Sequence, residues 1–177
     1  MNFYNTTHPY YCGIDLHAGS LYVCILDNEG KVLRHREISE NPDWLKELLE
    51  PYIDQIIVGV ECMHCWYWVS DYCESIGVNF ILGHALYMRA IHGGKAKNDR
   101  IDSFKIASLI RGGNFPLAYT YPKEMRATRD LLRRRIRIVR HGAHLKAHIS
   151  NTTSQYNLPA NNVNLKNVSA REQMRSP

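Results

Sequence analysis

The stretch Tyr10-Tyr11-Cys12-Gly13-Ile14-Asp15 is an apolar run of strand length that stops on a carboxylate, and its pattern recurs at Ile56-Ile57-Val58-Gly59-Val60-Glu61. Each run reads as a strand, the one ending at Glu61 as a buried strand. Between them Leu21–Leu26, apolar throughout as a central strand would be, and Lys31–Ile38 read as two further strands, linked by His17-Ala18-Gly19-Ser20 and Asp27-Asn28-Glu29-Gly30. Asn, Asp and Gly in such short links favour hairpin turns. Asn41-Pro42-Asp43 offers a helix start, and Trp44, Leu45, Leu48, Leu49 and Tyr52 follow at helical spacing. A helix over Trp66–Ile76 closes at Gly77, a fifth strand covers Val78–Leu82, and the segment from Lys95 through Asp99 and Asp102 to Ala107 opens another helix.

The order is β-β-β-α-β-α-β-α: a three-strand meander joined to alternating parallel strands. It predicts an α/β mixed sheet with helices on both faces. In that topology the first and fourth strands can lie side by side. Asp15 and Glu61 would then occupy neighbouring positions at the edge where ligands bind such sheets.

Asp99 and Asp102 are three apart, so on their helix they share a face. Two acids at strand ends and two on one helix face can converge on a pair of divalent cations, the arrangement that phosphoryl transfer needs. Taken one at a time, Asp15 and Glu61 read as strand-end acids facing water, Asp99 as a helix cap and Asp102 as a solvated residue in the first turn; the four together read as a metal site. Oxygen donors without a matching His or thiolate set point to Mg²⁺ or Mn²⁺ rather than zinc. Lys95, Lys97 and Arg100 flank the acids and are candidate phosphate contacts, or ordinary charge balance beside carboxylates. His17 reads as a turn residue, with substrate contact or proton relay the sharper alternative.

The net charge of +5 conceals a division. Residues 1–122 hold ten Lys and Arg against fourteen Asp and Glu, whereas residues 123–177 hold twelve against three. An acidic body with a basic appendage implies a polyanionic partner, with a solubilising helix as the plain alternative. From Met125 to about Ile149, Leu131, Ile138 and Leu145 recur every seven residues, and Arg133, Arg134, Arg135, Arg137 and Arg140 fill much of the remaining surface. This predicts a long basic amphipathic helix, or a coiled coil, over 123–156, with Gly142 a weak point. Arg133, Arg134, Arg137 and Arg140 are its candidate nucleic-acid contacts. Residues 157–177 carry no sustained periodicity and read as a loosely ordered tail.

Other motifs resolve to plain readings. Cys62-Met63-His64-Cys65 has the spacing of half a zinc site, but no second pair accompanies it. His141, His144 and His148 read as a basic helix face. Trp66, Tyr67 and Trp68 read as helix-to-sheet packing rather than a base-stacking platform. The five cysteines, odd in number and mostly in apolar runs, suit reduced thiols in a cytoplasm. No apolar run approaches the roughly 20 residues that span a bilayer, and no membrane association is expected.

Gly13-Ile14-Asp15-Leu16-His17, Val60-Glu61 and Lys97-Asn98-Asp99-Arg100-Ile101-Asp102, preceded by Gly93-Gly94-Lys95, together resemble the DEDD transposases of insertion sequences. These are related to Piv-type DNA invertases and are described as RNA-guided bridge recombinases. The resemblance runs from about Tyr11 to Pro159. It implies an N-terminal domain over 1–122 similar to the RuvC resolvase, with a ribonuclease H-like fold. It makes Asp15, Glu61, Asp99 and Asp102 an acidic tetrad that binds divalent metal, Mg²⁺ or Mn²⁺, and acts in DNA strand cleavage and exchange. It implies DNA and a structured guide RNA as partners, and a homodimer or higher oligomer built through the helical segment. Family members continue into a C-terminal domain that supplies a nucleophilic serine. Nothing in these residues matches it, and Ser103, Ser150 and Ser154 are not put forward for that role. Two function classes therefore stand: a metal-dependent transposase or site-specific recombinase domain, and a nucleic-acid-binding fragment without recombinase activity. A free-standing RuvC-like nuclease is a third reading. An actin-like ATPase fits less well, because no glycine-rich phosphate loop accompanies Asp15.

Overall fold

The structure, a computed structural model, describes residues 2–92 and 98–158. Its strands are β1 (Phe3–Tyr4), β2 (Tyr10–Leu16), β3 (Ser20–Asp27), β4 (Val32–Ser39), β5 (Ile56–Glu61), β6 (Asn79–Gly83) and β7 (Phe115–Pro116). Its helices are α1 (Pro42–Leu49), α2 (Trp66–Ser75), α3 (Ala85–His92), α4 (Asp99–Arg111) and α5 (Lys123–Gln155). The chain divides into two compact units, Met1–Thr120 and Tyr121–Pro177.

The first unit is built on a five-stranded sheet in the order β4-β3-β2-β5-β6. β2, β3 and β4 form an antiparallel meander, and β5 and β6 run parallel to β2. The first strand of the meander therefore lies beside the strand that ends in Glu61, as the topology predicts. This is a mixed α/β sheet with helices packed on both faces. Three elements escaped the sequence reading: β1 and β7, which pair over two residues, and α3, which precedes the helix carrying Asp99 and Asp102.

Alternation along β2 sends its residues to opposite faces. Tyr11, Cys24, Leu26, Ile57, Ile106, Ala107 and Ile110 pack together on the face that α4 covers. Cys12 points the other way, where the Cys73 thiol of α2 is close enough to act on its ionisation. On that side Trp66 is buried and stacks on Phe80 of β6, so the helix-to-sheet reading of Trp66 holds. Each fully buried Ile, Leu or Val in these two layers contributes about 1.5–3 kcal/mol. β4 alternates between exposed and half-buried residues from Val32 to Arg36 and buries Ile38, as an edge strand half in water should.

Element ends follow local chemistry. Asn41 and Asn98 cap α1 and α4, each side-chain oxygen accepting from the backbone N–H two residues on, at 2.8 and 3.0 Å. After α2 the chain turns at Gly77, whose φ of 72° only glycine adopts without cost. The second unit is dominated by the 33-residue helix α5, which Gly142 does not interrupt. Among the described residues no helix is long and apolar enough to cross a membrane. The tail expected over 157–177 lies, from residue 159 onward, outside the described residues.

Candidate metal centre

Gly13 sets the height of α4 above the sheet, and Gly59 leaves room for an α4 side chain. A Cβ at Gly13 would lie 2.3 Å from the Ser103 carbonyl oxygen and 2.4 Å from the Ala107 amide nitrogen. One at Gly59 would lie 2.4 Å from Ile110 Cδ1. Residues two apart on a strand share a face, so Asp15 and Glu61 stand on the α4 side, each two residues beyond its glycine. Both also stand one residue past the paired Ile14 and Val60, which makes them neighbours across parallel strands. The N-terminal turn of α4 brings Asp99 and Asp102 over this same end of the sheet. His35 holds that turn from β4, its Nε2 lying 2.8 Å from the Arg100 carbonyl oxygen and 3.2 Å from Ser103 Oγ.

The closest convergence is Asp15, His17 and Asp99, whose ligand atoms all lie within 4.8 Å of one another. His17 Nε2 is 3.1 Å from Asp15 Oδ2 and 3.2 Å from Asp99 Oδ1. Glu61 and Asp102 lie outside this inner group. Asp102 accepts an ion pair from Lys105 Nζ at 3.1 Å. It is near enough to Asp15 to act on its charge. Glu61, half-buried, shares the face and the strand end. Arg100, exposed, continues the first turn of α4. Lys95 and Lys97 lie outside the described residues.

His17 is the residue that the sequence reading undervalued. It sits two positions after Asp15, and the period of two along an extended chain is the signal that places both on one side. The turn that follows, closed by His17 N–H donating to the Ser20 carbonyl at 3.0 Å, fixes its position.

The donors suit a hard or borderline divalent cation. Asp15 is buried, and burial raises its carboxyl above the usual range; His17 opposes that rise, while the negative charges of Asp102 and Asp99 add to it. Acids crowded so that one resists ionisation gain most from a cation between them.

On α5 the guanidinium-bearing Arg133, Arg134, Arg137 and Arg140 are all exposed. So is the apolar stripe: Leu131 is 68%, Ile138 72% and Leu145 64% accessible. Hydrophobic residues this exposed, at seven-residue spacing, form a surface that a second helix could cover.

Among known proteins, the transposase for insertion sequence element IS1533 of Leptospira borgpetersenii is 28% identical over 134 residues. That match covers 71% of this chain and 38% of the relative, so the chain spans well under half of the relative's length. Among solved structures, Thermus thermophilus RuvC aligns with a TM-score of 0.42 and 17% identity, covering 62% of this chain and 99% of that one. T. thermophilus RuvC in complex with a Holliday junction substrate aligns at the same score and identity, covering 63% and 100%. The model of the DEDD transposase family of the IS110 type, described as transposase, matches residues 12–158. That span takes in the strands ending in Asp15 and Glu61, both acids of α4 and all of α5, and it shows that the chain belongs to the IS110-type DEDD transposases.

Proposed function

We propose that residues 1–122 are the metal-dependent catalytic domain of a DNA transposase or site-specific recombinase, and that residues 123–156 are its nucleic-acid-binding arm. The observation that carries this reading is the convergence of Asp15 and Asp99 on one point, with Glu61 and Asp102 at the same end of the sheet, in a chain of the DEDD transposase family. Asp15, Glu61, Asp99 and Asp102 would hold one or two Mg²⁺ or Mn²⁺ ions. A divalent cation bound there would supply Lewis-acid stabilisation of a phosphodiester during DNA strand cleavage and exchange. Asp15, held in a strand and buried, is the fixed donor. Asp99 and Asp102 are carried on a helix whose height Gly13 sets. Arg100 of the same turn offers a cation to backbone phosphate, as do Lys95 and Lys97 in the chain before it.

The arm would bind DNA and a structured guide RNA through Arg133, Arg134, Arg137 and Arg140, with the salt dependence that phosphate contacts impose. A second copy of the chain would cover the stripe of Leu131, Ile138 and Leu145, giving a dimer or higher oligomer. Five cysteines, odd in number and mostly in apolar runs, suit reduced thiols, so the protein would act in the cytoplasm.

The test is Mn²⁺-dependent cleavage of labelled branched DNA and structured RNA, with Asp102→Asn as control. Cleavage by the wild type that the variant loses supports the catalytic reading. Tight binding with no cleavage under any divalent metal would replace it with a binding module that lacks strand-exchange activity.

A further inference from the structure

We infer that His17 is itself a ligand of the metal, making the inner site Asp15–His17–Asp99, one nitrogen and two carboxylate oxygens, rather than a set of acids alone. The inference rests on the metal-site reading above and specifies its donor set. An octahedral ion with bonds of about 2.1–2.2 Å sets neighbouring ligand atoms about 3.0–3.1 Å apart, the bond length times the square root of two. His17 Nε2 stands 3.1 Å from Asp15 Oδ2 and 3.2 Å from Asp99 Oδ1, so both separations match such an edge. Opposite positions of the same octahedron are about 4.3 Å apart. The two carboxylate oxygens lie within 4.8 Å of each other, which suits either an adjacent or an opposite pair.

A hydrogen-bonding role alone accounts for the geometry less well. The one Nε2 atom has a single proton or a single lone pair, yet it stands at contact distance from two carboxylates on two different elements. A nitrogen so placed lies beside both oxygens, at the spacing that a shared ion would impose. The backbone fixes it there: Asp15 lies near the end of β2, His17 follows one residue past that strand, and its N–H bond to the Ser20 carbonyl holds the turn. The imidazole is half-exposed, which leaves room beside the site for waters or phosphate oxygens to complete a coordination shell.

The chemical consequence is selectivity. Carboxylate oxygens alone suit Mg²⁺, whereas an imidazole nitrogen favours later first-row ions, so this donor set shifts preference from Mg²⁺ towards Mn²⁺ and Co²⁺.

The experiment uses the untagged chain and reads Mn²⁺ and Mg²⁺ affinities by calorimetry, with electron spin-echo modulation of bound Mn²⁺ to detect a coordinated ¹⁴N. Wild type, His17→Gln and Asp15→Asn are compared, with circular dichroism confirming that each is folded. The expected result is a ¹⁴N coupling in the wild type that disappears in His17→Gln. Mn²⁺ Kd should rise tenfold or more in that variant, and Mg²⁺ Kd should rise less. Loss of all Mn²⁺ binding by a folded His17→Gln chain, given the wild-type coupling, supports the inference equally. Mn²⁺ bound to the wild type without ¹⁴N coupling, or a coupling that persists in His17→Gln, overturns it. In either of those cases, loss of affinity in Asp15→Asn still leaves the carboxylate site standing. Wild-type affinity in Asp15→Asn would overturn the metal-site reading itself, and no Mn²⁺ binding by the wild type would overturn both.

Discussion

Replacing Gly13 by Ala adds one methyl group, and the structure says where it goes. It would meet the Ser103 carbonyl oxygen at 2.3 Å, the Ala107 amide nitrogen at 2.4 Å and Ile106 Cβ at 2.9 Å. Ordinary contact for such pairs begins near 3.4 Å. The obstacle is helix backbone, which cannot rotate aside as a side chain can, so α4 must lift from the sheet by about 1 Å. Overpacking of a filled core costs about 1–3 kcal/mol, and a backbone obstacle puts Gly13→Ala at the top of that range. At about 2–4 °C per kcal/mol for a chain of this size, the melting temperature should fall by about 6–12 °C. The same displacement moves Asp99 and Asp102 away from Asp15, so Mn²⁺ affinity should fall about tenfold or more. Gly59→Ala is the internal comparison. Its nearest obstacle is the terminal Cδ1 of Ile110, a rotatable methyl, so the cost should stay near 1 kcal/mol. Thermal melts followed by circular dichroism, with calorimetric titration of Mn²⁺, read both effects. A Gly13→Ala chain that melts within 2 °C of wild type and binds Mn²⁺ as tightly would refute the claim that glycine sets the height of α4.

Three further perturbations test other parts of the molecule. Glu61→Gln should abolish Mn²⁺ binding, or weaken it more than tenfold, while leaving the melting temperature within about 2 °C; wild-type affinity would remove Glu61 from the site. Changing Arg133, Arg134 and Arg137 together to Gln should lower the salt-dependence slope of nucleic-acid binding by about 2–3, at 0.7–0.9 per phosphate contact. An unchanged slope would assign those arginines to solubility. Burial pushes the thiols of Cys24 and Cys73 up to about 12 from an ordinary value near 9. The unfolded chain therefore loses those protons first, and stability present below pH 9 should fall as pH rises from 9 towards 12. The loss is about 1.4 kcal/mol per pH unit for each thiol. Urea unfolding at pH 8.5 to 11 measures it, with Cys73→Ala removing one thiol's share of the slope; identical slopes in the two proteins would contradict the assignment.

What the sequence made legible, and what it hid, divides along a physical line. Patterns within one element were readable. Ile56–Glu61 was bounded at its observed ends, the meander was placed to within a residue or two, and Asp99 and Asp102 fell on a helix that Asn98, not Asp99, caps. The adjacency of the first and fourth strands was readable too, because short links and a crossover leave few alternatives. Contacts between distant elements were not. β1 and β7 pair over only two residues each, too few for any periodicity. The role of Gly13 needs α4 above it, and α4 begins 86 residues later in the chain. His17 was visible as a histidine two residues past an acid, but its value comes from Asp99, which tertiary folding supplies.

Two features of the structure cost stability locally, and each coincides with a place where the proposal assigns a task. Asp15 is buried with acids for neighbours, so its ionisation works against the fold. The α5 stripe leaves Leu131, Ile138 and Leu145 largely in water, forgoing for each a burial gain of about 1.5–3 kcal/mol. Neither cost is repaid inside the described chain, and each has an external remedy of a different kind. A divalent cation offsets the first, and a second apolar helix surface offsets the second. The two remedies are separable by experiment: Mn²⁺ should raise the melting temperature independently of protein concentration. Self-association through α5 should make it rise with concentration, and Leu131→Glu with Ile138→Glu should erase that second dependence while leaving the first. A melting temperature that follows Mn²⁺ only when the stripe is intact would mean that the metal site is completed across the assembly rather than within one chain.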